Sequence, residues 1–207
     1  MIKQRFEHQL EMARKHGVGN AMLALSRKAF LSPLLSAYGA DKWHLRGFHT
    51  TNYKKIAVAL SREVSGSARV VVEVGCGLGD IVSRVKAYRK FGYDVDSATI
   101  SCARLLRRLR RPDTSYRVGS FDSLVHLEFE SIDLLIAMGW LHYMPDEWIE
   151  ENLRSLLTSK RVRYIMVDEF PGQRGRIETM MKTFGTLVKQ EFDWQDGKAV
   201  LLFHCDR

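Results

Sequence analysis

The stretch that most constrains this chain is Ala68-Arg69-Val70-Val71-Val72-Glu73-Val74-Gly75, followed by further glycines at 77 and 79. A continuous β-branched run without polar alternation suits a strand buried on both faces, as in a parallel sheet covered by helices. A glycine-rich turn directly after it lets backbone approach a ligand closely and presents the N-terminal amides of a following helix. The spacing predicts a strand at 68–75, a turn through Cys76, and a helix from Gly79 to Arg89. The next strand, Lys-Phe-Gly-Tyr-Asp-Val-Asp, carries Asp94, 19 residues after Gly75. A carboxylate at that strand tip can accept hydrogen bonds from a ribose diol. Asp96 has another role open to it, as N-cap of a helix beginning at Ser97.

Strand–helix alternation continues through an arginine-rich helix, a short strand at 116–118, a strand at 131–138, a helix opened by Pro145-Asp146 and a strand at 162–168. Two β-rich runs then flank Gln195-Asp196-Gly197, which predicts a hairpin whose last strand runs antiparallel. This order implies an α/β, doubly wound, mostly parallel sheet of seven strands. Ahead of it, residues 1–52 read as a helical extension and lid, and residues 53–207 as the ligand-binding domain. The extension has apolar faces at Phe6, Leu10 and Ala13 and at Met22, Leu23 and Leu25. It is expected to break near Gly17-Val18-Gly19, to turn at Ser32-Pro33, and to end in an aromatic, polar loop from Tyr38 to Thr51.

A dinucleotide site uses Gly-x-Gly-x-x-Gly, and its third glycine would fall where Asp80 stands. A carboxylate there opposes a pyrophosphate. The Gly-x-Gly-x-Gly form, with Glu73 two residues ahead, suits a ligand without phosphates, and S-adenosylmethionine is such a ligand.

On these residues the chain resembles the class I S-adenosylmethionine-dependent methyltransferases. VEVGCGLGD is similar to their first motif and GYDVD to their second. RVGSFDSL (117–124) stands where the adenine-contacting segment belongs, and IDLLIAMGWLHYM (132–144) is similar to the motif after the fourth strand. The resemblance spans roughly residues 50–207 and implies the Rossmann-like methyltransferase fold. It implies that Glu73, Gly75, Cys76, Gly77 and Gly79 surround the methionine moiety, that Asp94 and Val95 meet the ribose, and that Ser120, Phe121 and Met138 flank the adenosine. The family often has an acid directly after the glycine of the third segment; here Ser120 follows it, with Asp122 two residues on.

Methyl transfer is an in-line displacement at a sulfonium carbon, so proximity and alignment supply much of the acceleration. A hydroxyl acceptor also needs its proton removed. His142, just after the fourth strand, is the candidate base, with a packing or cofactor-shelf role as the alternative. Asp168 and Glu169 end the fifth strand, where they either orient an acceptor or cap a helix. His44 and His49 lie in the aromatic loop, as solvent-exposed residues or as part of a cover over the site. The loop's Tyr-Gly-Ala-Asp-Lys is also similar to a stretch of some sugar and natural-product methyltransferases, which implies that Asp41 and Lys42 shape the pocket; a surface pair is the alternative. No zinc-ligand spacing occurs, so no metal is expected.

The formal net charge is +8, and Arg104, Arg107, Arg108, Arg110 and Arg111 fall within eight residues. That face is either solvated or an anion-binding patch. Three scattered cysteines, no apolar run near the ~20 residues of a membrane span, and no signal segment point to a cytoplasmic protein. The expected activity is methylation of a hydroxyl or amine on a small molecule or saccharide. An RNA or protein methyltransferase and a non-catalytic S-adenosylmethionine-binding protein are the competing readings. Against the first, Met138-Gly139-Trp140-Leu141 stands where amino-group nucleic-acid methylases often carry Asn-Pro-Pro-Tyr.

Overall fold

The computed structural model describes residues 11, 14–64, 68–110 and 113–205. Phe6, Leu10, Ala13 and Arg111 lie outside these, as does the side chain of Arg110. The helices are α1 (Val18–Tyr38), α2 (Asn52–Val64), α3 (Ser97–Arg110), α4 (Asp146–Ser159) and α5 (Arg176–Met181). The strands are β1 (Val70–Val74), β2 (Arg89–Asp94), β3 (Thr114–Val118), β4 (Ser131–Ala137), β5 (Arg161–Glu169), β6 (Thr186–Asp193) and β7 (Lys198–His204).

The seven strands form one sheet in the order β3-β2-β1-β4-β5-β7-β6. The first five are mutually parallel, and β7 runs antiparallel between β5 and β6. β1 is buried along its whole length because both sheet faces are covered. Val70, Val72 and Val74 pack into a core with Ile149, Leu153 and Leu156 of α4, whereas Val71 packs with Ala57 and Val58 of α2. The order reverses beside β1, and a parallel sheet opens its ligand crevice at such a point.

Two local expectations are corrected. The first is the helix at 79–89, where the structure has a turn followed by a 3-10 turn at Val82–Arg84. Residues 75–88 must carry the chain across to β2, and the glycine turn uses half of them. Ile81, Val82 and Val85 are already buried within this short path. No α-helical macrodipole therefore stands at the glycine loop, which removes the usual attraction for a phosphate. The second is the turn at Ser32-Pro33, because α1 runs through Pro33. An interior proline costs about 3 kcal/mol. Leu31 and Leu35, both fully buried against Leu78, Cys102 and Leu106, return about 1.5–3 kcal/mol each and hold the helix together. The aromatic loop contains two 3-10 turns, Lys42–Leu45 and Phe48–Thr50.

Candidate functional site

A cavity of about 400 Å³ opens at the carboxyl ends of β1, β2 and β4. The glycine turn forms its floor. Gly75 and Gly79 have φ of +70° and +74°, which favours glycine. A Cβ on Gly75 would lie 2.5 Å from the Trp140 ring, and one on Gly79 would run into the Tyr116 hydroxyl. The close approach that glycine allows is thus partly taken up by aromatic rings of the protein itself.

Asp94 ties the loop to the second strand. Its Oδ2 accepts the Gly77 N–H at 2.9 Å and its Oδ1 accepts the Asp96 N–H at 3.0 Å. It still lines the cavity, next to the exposed Val95. Asp96 caps α3, accepting from the Ala98 and Thr99 amides at 3.0 and 3.1 Å. Buried Glu73 accepts the Val82 N–H at 2.8 Å, and desolvation pushes its carboxyl up to about 8, despite that bond. Burial also pushes the Cys76 thiol well up, so Cys76 is a wall and not a thiolate.

The far wall is aromatic. Phe121, Trp140 and Trp148 form a triangle with ring centroids 6.0–6.3 Å apart, and the Trp140 indole donates to the Val74 carbonyl at 2.8 Å. Ser120 and Met138 also line the cavity. The Ser120 hydroxyl is hydrogen-bonded to Asp122, the acid shifted two positions along.

The N-terminal extension supplies the cover. Asp41 accepts the Trp43 N–H at 2.8 Å and caps the turn that brings Trp43 and His44 into the cavity wall. His44 lies over Gly77, and desolvation lowers its pKa. Lys42 is exposed, and His49 packs edge-on against Phe48 without lining the cavity.

The Asp80 carboxylate, expected to oppose a pyrophosphate, is neutralised by two cations. Arg27 of α1 meets it with two hydrogen bonds of 3.0 Å, and Lys54 of α2 with another at 3.0 Å. Burial alone would raise the Asp80 pKa, but Lys54 and Arg27 outweigh it and hold the carboxyl below its usual range. What argues against a pyrophosphate here is the glycine spacing and the missing helix, not this charge.

None of the three catalytic candidates lines the cavity. His142 lies on a 3-10 turn next to the cavity wall, 9% exposed, sandwiched between Tyr143 and Phe170 at 3.8 and 3.7 Å. Neither ring nitrogen has a partner, and desolvation lowers its pKa, so the imidazole is neutral at pH 7. Asp168 is fully buried; it accepts the Gly139 N–H at 2.7 Å and pairs with Lys198 at 3.3 Å. Glu169 is turned toward α5, where it accepts the Glu178 N–H at 2.9 Å; the structure gives it the helix-capping alternative. Among the described residues no cluster of metal ligands occurs.

Sequence reasoning missed Tyr53, Lys54, Trp140 and Trp148 in the cavity wall. The post-β4 stretch carried a signal for Trp140 through its position beside His142. Tyr53, Lys54 and Trp148 gave none, since each reads as an ordinary residue of an amphipathic helix.

A parallel five-strand core with an antiparallel β7 inserted between β5 and β6 defines the class I methyltransferase fold. A family profile described as a methyltransferase domain matches residues 71–160. Over that stretch the chain is similar to a methyltransferase domain, which implies S-adenosylmethionine as cofactor. Among solved structures, it is similar to the N-methyltransferase NodS from Bradyrhizobium japonicum WM9, solved with S-adenosyl-L-homocysteine. The TM-score is 0.65 at 15% identity, covering 84% of this chain and 97% of that one. It is also similar to magnesium protoporphyrin IX methyltransferase from Synechocystis PCC 6803 with bound S-adenosylmethionine. There the TM-score is 0.62 at 11% identity, over 90% and 97% of the two chains. At these identities the likeness shows the fold. No curated protein matches the sequence.

Proposed function

We propose that the cavity binds S-adenosylmethionine and that the enzyme transfers its methyl group to a hydroxyl or amine of a small molecule or saccharide. The observation that carries this reading is Asp94, buried at the tip of β2, bonded to the glycine loop and still facing the cavity. Its carboxylate would hold the ribose hydroxyls, and the Phe121–Trp140–Trp148 wall would take the adenine. The Asp94 carboxylate gives the floor the sign that suits a cationic ligand, while Glu73, protonated at neutral pH, adds no charge. When bound, the cofactor supplies an electrophilic methyl carbon on a good leaving group. The chain's own task is then to align the acceptor, exclude water and receive a proton. We read His142, buried behind the cavity wall with two unpartnered nitrogens, as the group that receives it. Asp168 acts by holding Gly139, and Glu169 has no part in the transfer.

Arg104, Arg107 and Arg108 of α3 do not line the cavity, so the basic face does not favour a nucleic-acid acceptor. No helix among the described residues is long and apolar enough to cross a membrane. We infer a cytoplasmic location, where three buried cysteines far apart in sequence would stay reduced. The test is incubation with methyl-labelled S-adenosylmethionine and a panel of hydroxyl and amine acceptors. Labelled product formed in equal amount with S-adenosylhomocysteine is expected. Retention of the cofactor without product from any acceptor would make the protein a binder, and tighter binding of NAD would overturn the cofactor reading.

A further inference from the structure

We propose that Lys198 is a positioning residue for the post-β4 wall of the cavity, acting through Asp168 on the Gly139–Trp140 turn. The inference rests on reading the cavity as the methyl-transfer site. β7 runs antiparallel to β5, so its first residue arrives at the carboxyl end of the parallel strands, where Ala199 pairs with Glu169. Lys198 is 8% exposed there. Its ammonium lies 3.3 Å from Asp168 Oδ2, 3.6 Å above the Phe170 ring and 4.1 Å above the Tyr53 ring.

Two of these contacts lead to the cavity wall and the third to His142. The other oxygen of Asp168 accepts the Gly139 N–H at 2.7 Å, and Gly139 takes a φ of +83° before Trp140. Tyr53 lines the cavity, and the Phe170 ring lies against His142. One ammonium therefore holds the turn after β4, the α2 wall and the ring beneath the candidate base.

Stability alone does not explain an ion pair in this place. A buried pair replaced by apolar groups of the same shape is often as stable or more so. An apolar pair would, however, leave the Gly139 N–H without its acceptor and the turn unfixed. A fully buried Asp168 carboxylate is in turn tolerable only beside a cation. The lysine is thus the condition for using a carboxylate to set the turn.

The experiment uses the full chain without cofactor and reads hydrogen exchange of the Trp140 indole N–H, assigned by comparison with Trp140→Phe. Lys198→Met keeps the stem between the two rings and removes the charge. It should speed exchange of that N–H at least tenfold, because the turn loses its fixed acceptor. Asp168→Asn/Lys198→Met removes both charges but keeps an oxygen for Gly139, and should return exchange to within about threefold of wild type. If Lys198→Met lowers the melting temperature while Trp140 exchange stays at the wild-type rate in the folded protein, the pair is merely structural and the proposal fails. If Lys198→Met does not fold, Lys198→Gln carries the same comparison. A double variant as fast-exchanging as the single one also overturns it, since Lys198 would then not act through Asp168. Failure of wild type to bind S-adenosylhomocysteine would be a separate result, against the methyl-transfer reading and not against this relay.

Discussion

The two ends of the cavity are built on opposite principles. At the glycine-loop end every acid is satisfied inside the protein: Asp94 by two backbone amides, Glu73 by one, and Asp80 by Arg27 and Lys54. At the post-β4 end His142 is buried with both nitrogens unpartnered, and Asp168 depends on a lysine 30 residues away in sequence. A satisfied end is a preformed mould for a ligand that is always the same. An end with an unpaired polar group is completed by something that arrives, as an acceptor does. On the proposed reading, the cofactor takes the first end and the acceptor the second.

The largest expected effect would break this division if it failed. His142→Ala should lower turnover of an accepted substrate by roughly 10²–10⁴-fold, with cofactor affinity unchanged. Steady-state kinetics paired with S-adenosylhomocysteine calorimetry would check it, and lost cofactor affinity would move His142 to the other end.

The next effect sharpens the description of the loop end. The Glu73 pKa is raised in the folded protein, so folding favours its protonated form. Its contribution to stability is full at pH below the unfolded value, about 4.3, and is lost as pH rises through the folded value of about 8. Glu73→Gln should therefore gain on wild type between these limits, by on the order of 5 kcal/mol above pH 8. Thermal melts from pH 5 to 9 measure this. A constant difference across that range would contradict it.

The smallest effect is expected on the surface. Replacing Arg107 and Arg108 by Glu should leave cofactor affinity within about twofold of wild type. Weak RNA binding by wild type should fall steeply with salt, as phosphate contacts do. A salt-resistant, sequence-selective complex would instead favour an RNA acceptor.

The sheet was legible because its signals are local: a doubly buried β-branched run at β1, an Asp-Gly turn before β7, and an acid at the tip of β2. The helix expected at 79–89 failed because residue type alone does not reveal that the short path to β2 leaves space for one 3-10 turn. Pro33 misled for the converse reason, since the burial of Leu31 and Leu35 outweighs a local preference that sequence shows plainly. The loop end of the site was legible because glycine spacing and one strand-tip acid define it. The acceptor end was not. Lys198 and Tyr53 meet Asp168 and Phe170 only through the sheet order, and no spacing along the chain records that meeting.

The central claim is that Asp94 and the glycine loop hold the adenosyl cofactor. Calorimetric titration of S-adenosylhomocysteine into wild type and Asp94→Ala tests it most directly, with 2′-deoxy-S-adenosylhomocysteine as a second titrant. The account predicts that wild type binds and that Asp94→Ala weakens binding by about 1.5–3 kcal/mol, with the deoxy ligand losing affinity for wild type but little more for the variant. Equal affinities of wild type and variant for S-adenosylhomocysteine would contradict it.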